Sequence, residues 1–225
     1  MNITIKDESA MNYFVVGDVH GCFYTLKKLL QHWDSDRQQL IFVGDYINKG
    51  KHSQQVVKLI RNLERKYPGT VCLKGNHEYE MVRYIERNIP ENMIKDNFRN
   101  TLDHYDLKEK YRDDLKWMKK LPLYHENEAL YITHAGVNWL NFRKFKEDSG
   151  WCVLRYRGRL KKMSKLQVFG HTPTESKHPE FNKTFNALNI DSGAGHFDAM
   201  SAVLIDELGK IKKTYTETIK KEDYR

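Results

Sequence analysis

Cysteine is sparse in this chain. Cys22, Cys72 and Cys152 are three in 225 residues, an odd number with no CxxC pair. That excludes a disulfide framework and makes the cytoplasm the expected compartment. No stretch approaches the ~20 consecutive apolar residues of a membrane helix. The segment Met1-Asn2-Ile3-Thr4-Ile5-Lys6-Asp7-Glu8 has no apolar core, so no export signal is expected. Residues 1–10 are mostly polar, and Met11 is an alternative start. Internal repeats, linkers and low-complexity tracts are missing, as are the signatures of RNA-binding aromatic motifs, zinc fingers and helix-turn-helix units. Positive charge, in contrast, is in excess: 38 Lys+Arg face 30 Asp+Glu, for a net +8. A basic surface favours phosphate-bearing partners, although many basic surfaces are only solvated, and nucleic acid is not the expected partner without a motif to read it. The length fits one domain, residues 1–225.

Three segments carry the chemistry. They are Phe14-Val15-Val16-Gly17-Asp18-Val19-His20-Gly21, Ile41-Phe42-Val43-Gly44-Asp45-Tyr46-Ile47-Asn48-Lys49-Gly50 and Val71-Cys72-Leu73-Lys74-Gly75-Asn76-His77-Glu78. Each runs from a β-branched or aromatic stretch into Asp, His or Asn, with Gly beside the polar residue to permit a sharp turn. Asp and His ligate first-row metals, and the Asn oxygen suits hard cations. Three such segments in order, about thirty residues apart, predict a metal site at strand ends.

Between them the pattern turns helical. Thr25-Leu26-Lys27-Lys28-Leu29-Leu30 has apolar residues at helical spacing, as do Val56, Val57, Leu59, Ile60 and Leu63, ended by Pro68-Gly69, and then Met81, Val82 and Ile85. Strands alternating with helices predict an α/β fold with parallel or mixed central sheets flanked by helices. Residues 90–120 are charged, Gly-free and helix-favouring, with Tyr105, Leu107, Tyr111, Leu115, Trp117 and Met118 among polar neighbours. A helical insertion or cap is expected there, packed over the sheet or walling the cleft. Strands are expected again at Leu130–Thr133, Gln167–Phe169, Leu188–Ile190 and Ala199–Ile205.

Two of these later strands also end in histidine, at His134-Ala135-Gly136 and Gly170-His171-Thr172-Pro173. A lone His after a strand is usually structural, but two more in a chain with three candidate segments point to the same site. His32, His52, His104, His125 and His178 lie in polar settings and are expected at the surface. His196, after a Gly-rich turn, is expected in a loop.

These motifs resemble the phosphoprotein phosphatase family of calcineurin-like metallophosphoesterases. The family pattern, GD-x-HG, GD-x-x-DRG, GNHE and two later histidines, corresponds here to Gly17–Gly21, Gly44–Gly50, Gly75–Glu78, His134 and His171. Order and spacing resemble the compact bacterial and phage serine/threonine phosphatases and diadenosine tetraphosphatases, across roughly residues 13–205. The resemblance implies a dinuclear site holding two divalent metal ions, manganese by preference with iron or zinc as alternatives. Asp18 and His20 would hold one ion, Asp45 would bridge both, and Asn76, His134 and His171 would complete the second. A carboxylate offsets the repulsion between two cations, and imidazoles add ligands without adding charge. Such a pair activates a shared water for in-line attack on phosphorus. His77 stands where the family has its general acid.

The second motif departs from the pattern, ending Asn48-Lys49-Gly50 in place of Asp-Arg-Gly. Asn48 can hydrogen-bond to His77 but brings no charge, so it supports an imidazolium less well. Lys49 keeps the charge but not the two-pronged grip on phosphate. A second phosphate-gripping arginine is expected in Val153-Leu154-Arg155-Tyr156-Arg157-Gly158-Arg159-Leu160, with Arg157 ahead of Arg155. The resemblance implies a metal-dependent phosphoesterase of the serine/threonine protein phosphatase type, acting on phosphate monoesters. The alternative is hydrolysis of dinucleoside polyphosphates such as diadenosine tetraphosphate, which Asn48 favours because such leaving groups need less protonation. The competing classes are a phosphate-binding module with decayed catalysis, against which every ligand position and His77 stand retained, and a nucleic-acid-acting protein.

Overall fold

The fold was obtained as a computed structural model, which describes residues 11–87, 98, 101–102 and 110–224. Two five-stranded mixed sheets form its centre. The first runs β10-β9-β1-β2-β3, with β1 (Asn12–Val16), β2 (Gln38–Phe42) and β3 (Val71–Cys72) parallel, and β9 (Ala199–Ile205) and β10 (Ile211–Thr218) antiparallel beside β1. The second runs β4-β5-β6-β8-β7. Its parallel strands β5 (Leu130–Thr133), β6 (Leu166–Phe169) and β8 (Ala187–Asn189) are flanked by antiparallel β4 (Tyr124–Glu126) and β7 (Glu180–Asn182).

The apolar runs follow from two-sided burial. Successive side chains on a strand point to opposite faces. Val15, Ile41, Val43, Leu73 and Val203 from the first sheet therefore meet Leu130, Ile132, Val168, Leu188 and Ile190 from the second, in one core between the sheets. Their neighbours Phe14, Val16, Leu40, Phe42, Met200 and Ala202 face the other way, under the helices. A strand buried on both faces has no polar alternation, which is why these segments look uniformly apolar. Each such side chain contributes roughly 1.5–3 kcal/mol on burial.

The helices α1 (Phe23–Leu29), α2 (Ser53–Lys66) and α3 (Asn76–Glu86) follow β1, β2 and β3 in turn, and α2 stops just before Pro68-Gly69, as expected. Of the segment expected as an insertion at 90–120, residues 90–97, 99–100 and 103–109 lie outside the described residues, and so does His104. Lys110–Lys120 forms helix α4, packed on α3, and Phe98, Leu102, Met118 and Leu121 join the core beneath the helices. Ile211–Thr218, with Lys212 and Lys213, folds as β10, an edge strand. Lysines on such an edge oppose pairing with another chain.

The last turn ties back to the first helix. Cys22 at the start of α1 offers no side-chain cap. Fully buried Asp223 accepts hydrogen bonds from the backbone N–H of Tyr24 (2.9 Å) and Thr25 (2.9 Å) and from the Thr25 hydroxyl (2.6 Å). It satisfies donors that a helix N-terminus otherwise leaves open. Asp223→Ala is expected to lower stability by about 1–2 kcal/mol, read as a lower urea midpoint at an unchanged m-value. An unchanged midpoint would show that the cap is energetically idle.

Candidate metal centre

The parallel strands of both sheets deliver their following residues to one cleft. Asp18 and His20 follow β1, Asp45 follows β2, Asn76 and His77 open α3 after β3, and His134 and His171 follow β5 and β6. Open α/β sheets gather ligands at these carboxyl ends. The loops are tightly bent. His20, Asp45, Asn48, Lys49 and His171 all have left-handed backbone, with φ of 48°, 54°, 72°, 72° and 71°. Such residues cost of order 1–3 kcal/mol each and persist only where the surroundings hold them.

The holding group is Glu78, whose structural role the sequence reading did not assign. Its buried carboxylate accepts the N–H groups of Asp45 (2.9 Å), Tyr46 (2.9 Å) and Gly75 (3.0 Å), locking the loop after β2 to the start of α3. Burial pushes its pKa up to about 7. The Asp45 carbonyl in turn accepts from Val19 (3.0 Å) and His20 (2.8 Å), joining the first loop to the second.

Asp45 lies at the middle. Its Oδ2 stands 3.6 Å from His20 Nε2, 3.9 Å from His77 Nε2 and 3.5 Å from His134 Nε2. Asp18 Oδ2 is 3.8 Å from His20 Nε2. On the other side, Asn76 Oδ1 lies 3.1 Å from His134 Nε2 and 2.8 Å from His171 Nδ1. Two groups of donor atoms gathered within 4.8 Å result, His20–Asp45–His77 and Asp45–His134–His171, with Asp45 common to both.

This donor set fits divalent cations. The Nδ1 atoms of His20 and His134 sit 3.2 Å and 3.1 Å from the carbonyls of Ile47 and Val43. A carbonyl only accepts, so each Nδ1 carries a proton and Nε2 is the ring atom left for a metal, the usual arrangement behind a metal-bound histidine. Burial pushes the pKa of His20 down to about 3, so its Nε2 lone pair faces the ionised Asp45 carboxylate without a proton between them. A cation resolves that confrontation. His171 is also pushed down to about 3, by burial and by His134. His134 moves the other way. Burial opposes its charge, but Asp45 and Asp18 overrule burial and raise it to about 9. Asp45 is held well below the usual carboxylate range, because His134, His77 and His20 outweigh its burial. Asp18 is raised, by burial and by Asp191.

Around these ligands, Lys49, His77, Arg157, Asp191 and His196 line the cleft. Arg157 reaches it by donating to the Thr172 hydroxyl (3.2 Å) and the His171 carbonyl (3.3 Å). Arg155 takes another place, its guanidinium 4.8 Å above the Tyr79 ring. Asn48 is fully buried behind the cleft, its Nδ2 2.6 Å from His77 Nδ1. His196 sits in a short 3₁₀ turn, Ala194–His196, that swings back over His20. Asp191 was missed in the sequence, although its signal was present: an apolar strand, then Asp, then Gly two residues on. His125, expected at the surface, is half-buried, and burial lowers its pKa.

Residues 11–202 match the calcineurin-like phosphoesterase family, and the chain belongs to it. It is a metallophosphoesterase, a hydrolase of a family whose members use divalent metal ions. A symmetrical bis(5'-nucleosyl)-tetraphosphatase of Methylococcus capsulatus is 30% identical over 130 residues, covering 56% of this chain and 44% of that protein. The asymmetrical bis(5'-nucleosyl)-tetraphosphatase PrpE of Bacillus cereus is 28% identical over 222 residues, covering 82% of this chain and 86% of that protein. Among solved structures, a protein serine/threonine phosphatase of Saccharomyces cerevisiae shares the fold with a TM-score of 0.66 at 16% identity, over 95% of this chain and 81% of that one.

Proposed function

We propose that this cleft hydrolyses phosphoanhydride or other activated phosphoester bonds, with dinucleoside polyphosphates as the substrate class. In this reading Asp18 and His20 hold one divalent ion, Asp45 bridges, and Asn76, His134 and His171 hold the second, with manganese the expected metal and iron or zinc the alternatives. When bound, the ions supply a nucleophilic water and Lewis acidity toward the phosphoryl oxygens. The chain's own side chains do the rest. Lys49 and Arg157 hold phosphate oxygens from the rim, Arg157 with a planar fork and Lys49 as a point charge. His77 presents Nε2 toward the leaving oxygen. Arg155 stacks on Tyr79 and is not among the described residues lining the cleft. Among the described residues no helix is long and apolar enough to cross a membrane, and the cytoplasm, where nucleotides reside, suits this role.

The observation that carries the substrate class is the neutral Asn48 amide against His77. Without a carboxylate behind it, His77 gains no support for a charged ring, and burial already lowers its pKa. Bonds whose leaving group departs as a stabilised anion need the proton least. The two named relatives, both tetraphosphatases, support the same reading. The test is manganese-reconstituted hydrolysis of diadenosine tetraphosphate and a phosphoserine peptide side by side. Preference for the nucleotide is expected. Preference for the peptide would make the chain a protein phosphatase that tolerates Asn48.

Metal uptake should also depend on pH. With its pKa raised to about 9, His134 holds a second ring proton at pH 7 in the metal-free protein and must lose it to ligate through Nε2. Affinity at the site that His134 would complete is therefore expected to rise with pH, up to about tenfold per unit between pH 7 and 9, and then level off, with the His134 proton released as that site fills. Calorimetry in buffers of different ionisation enthalpy measures this release. Affinity independent of pH over that range would remove His134 from the ligand set.

A further inference from the structure

We infer that Thr101 is a positioning residue which, through Asn48, fixes His77 as the tautomer protonated on Nε2, so that His77 hydrogen-bonds the leaving group rather than protonating it. The inference rests on the reading of His77 as the group that faces the leaving oxygen.

A primary amide has one accepting end and one donating end, and the end that meets an imidazole decides where the ring proton resides. Asn48 is held from both sides. Its backbone N–H donates to Ser53 Oγ (3.0 Å), and Ser53 Oγ lies 3.4 Å from Thr101 Oγ1. Thr101 Oγ1 in turn stands 2.5 Å from Asn48 Oδ1. In that pair the Thr101 hydroxyl donates and the amide oxygen accepts. The oxygen end of the amide therefore faces Thr101, and the chain of donors runs one way: backbone N–H to Ser53, Ser53 to Thr101, Thr101 to Asn48 Oδ1. The NH₂ end is left for His77 Nδ1, 2.6 Å away. Nδ1 must then offer its lone pair, and the ring proton sits on Nε2, the atom that looks toward Asp45. Phe98 lies over the same ring at 5.9 Å and 22°, so the imidazole is backed as well as tethered.

Phe98 and Thr101 both come from between α3 and α4, and neither is among the described residues that line the cleft. These two residues act on His77 from behind. An aspartate at position 48 accepts from His77 and puts the proton on Nδ1; the amide, oriented by Thr101, reverses the polarity. A neutral ring with its proton on Nε2 can steady a departing oxygen by a hydrogen bond, but surrendering that proton would leave an imidazolate. The P–O bond thus breaks with its electron pair on the leaving oxygen, which departs as the anion and is protonated afterwards by water. Nucleotide phosphates and aryl oxides leave this way, and a serine alkoxide does so poorly.

The test is a long-range ¹H–¹⁵N correlation spectrum of the full chain labelled at histidine, metal-free and loaded with diamagnetic magnesium, with His77→Gln used to assign the ring. The expected result is an unprotonated Nδ1 and a protonated Nε2 at His77 in both states. Thr101→Ser should keep that pattern. Thr101→Val should give a mixture of tautomers and lower kcat on an aryl phosphate roughly tenfold with KM little changed. Asn48→Asp should move the proton to Nδ1. A wild-type spectrum showing Nδ1 protonated, or a Thr101→Val spectrum identical to wild type, overturns the inference. Should Thr101→Val fail to fold, Thr101→Ala is read in its place for the role of Thr101, while the wild-type spectrum decides the tautomer. Because the tautomer is read without substrate, failure to hydrolyse any nucleotide would refute the proposed function and leave this result standing.

Discussion

Asp45→Asn should abolish turnover for practical purposes, with a drop of roughly 10³-fold or more in kcat, equivalent to several kcal/mol of transition-state stabilisation. Asp45 is the only residue common to both donor groups among the described residues. Its Oδ1 also accepts the His77 N–H at 3.0 Å, a bond the amide oxygen of asparagine can keep. The substitution therefore removes the charge while sparing much of the local geometry. Without that charge, the ring nitrogens of His20 and His134 converge on a neutral amide that cannot offset two cations. Steady-state assays with excess manganese, together with metal content per chain, measure the effect. A variant that retains two ions and turns over within tenfold of wild type would rule out Asp45 as the bridge.

The second large effect is expected from a single methyl group. A Cβ at position 75 would lie 2.2 Å from Asp45 Oδ1, 2.3 Å from the Asp45 backbone nitrogen and 2.7 Å from Glu78 Oε2. Gly75 has φ of −93° and ψ of 173°, which alanine adopts freely. The glycine is required for space and not for its backbone freedom. Two of the three clashing groups are fixed, one as backbone and the other as the three-way acceptor Glu78, so the bridge carboxylate must move. Gly75→Ala is expected to lose about 1–3 kcal/mol of stability, typical of overpacking, and to bind metal far more weakly than that loss alone would cause. Paired urea unfolding and metal titration separate the two effects. Unchanged metal affinity would show that Asp45 has room to shift.

Much of this was legible in the sequence. Strands buried on both faces leave uniform apolar runs, so β1, β2, β5, β6 and β9 showed themselves, and each ran into a conspicuous polar turn. Position within a motif was less telling than the motif. Asn48 and Thr101 are far apart in the chain, and nothing local marks Thr101 as the partner of an amide beside α2; that contact exists only once the segment after α3 packs down. Arg155 and Arg157 have the same residue type two positions apart, and only the turn between them sends one to the cleft and the other onto Tyr79. Edge strands β4, β7 and β10 escaped notice because their exposed faces carry polar and charged residues that resemble loop. Asp191 carried the right signature, but the Gly-rich turn after it, with His196 at its end, resembles an ordinary loop.

The placement of β1 bears on how the enzyme is made. This strand, which leads to Asp18 and His20, pairs with β2 on one side and with β9 on the other, Val16 lying opposite Ala202. The first of the described strands in chain order thus waits for one of the last of them before both its edges are covered. Pairings so distant in sequence form late, and a chain still in synthesis exposes the apolar strand in the meantime. A nascent fragment carrying the first three motifs holds Asp18, His20, Asp45 and Asn76 but neither His134 nor His171. In the proposed assignment the second ion would therefore wait for β5 and β6, which deliver His134 and His171.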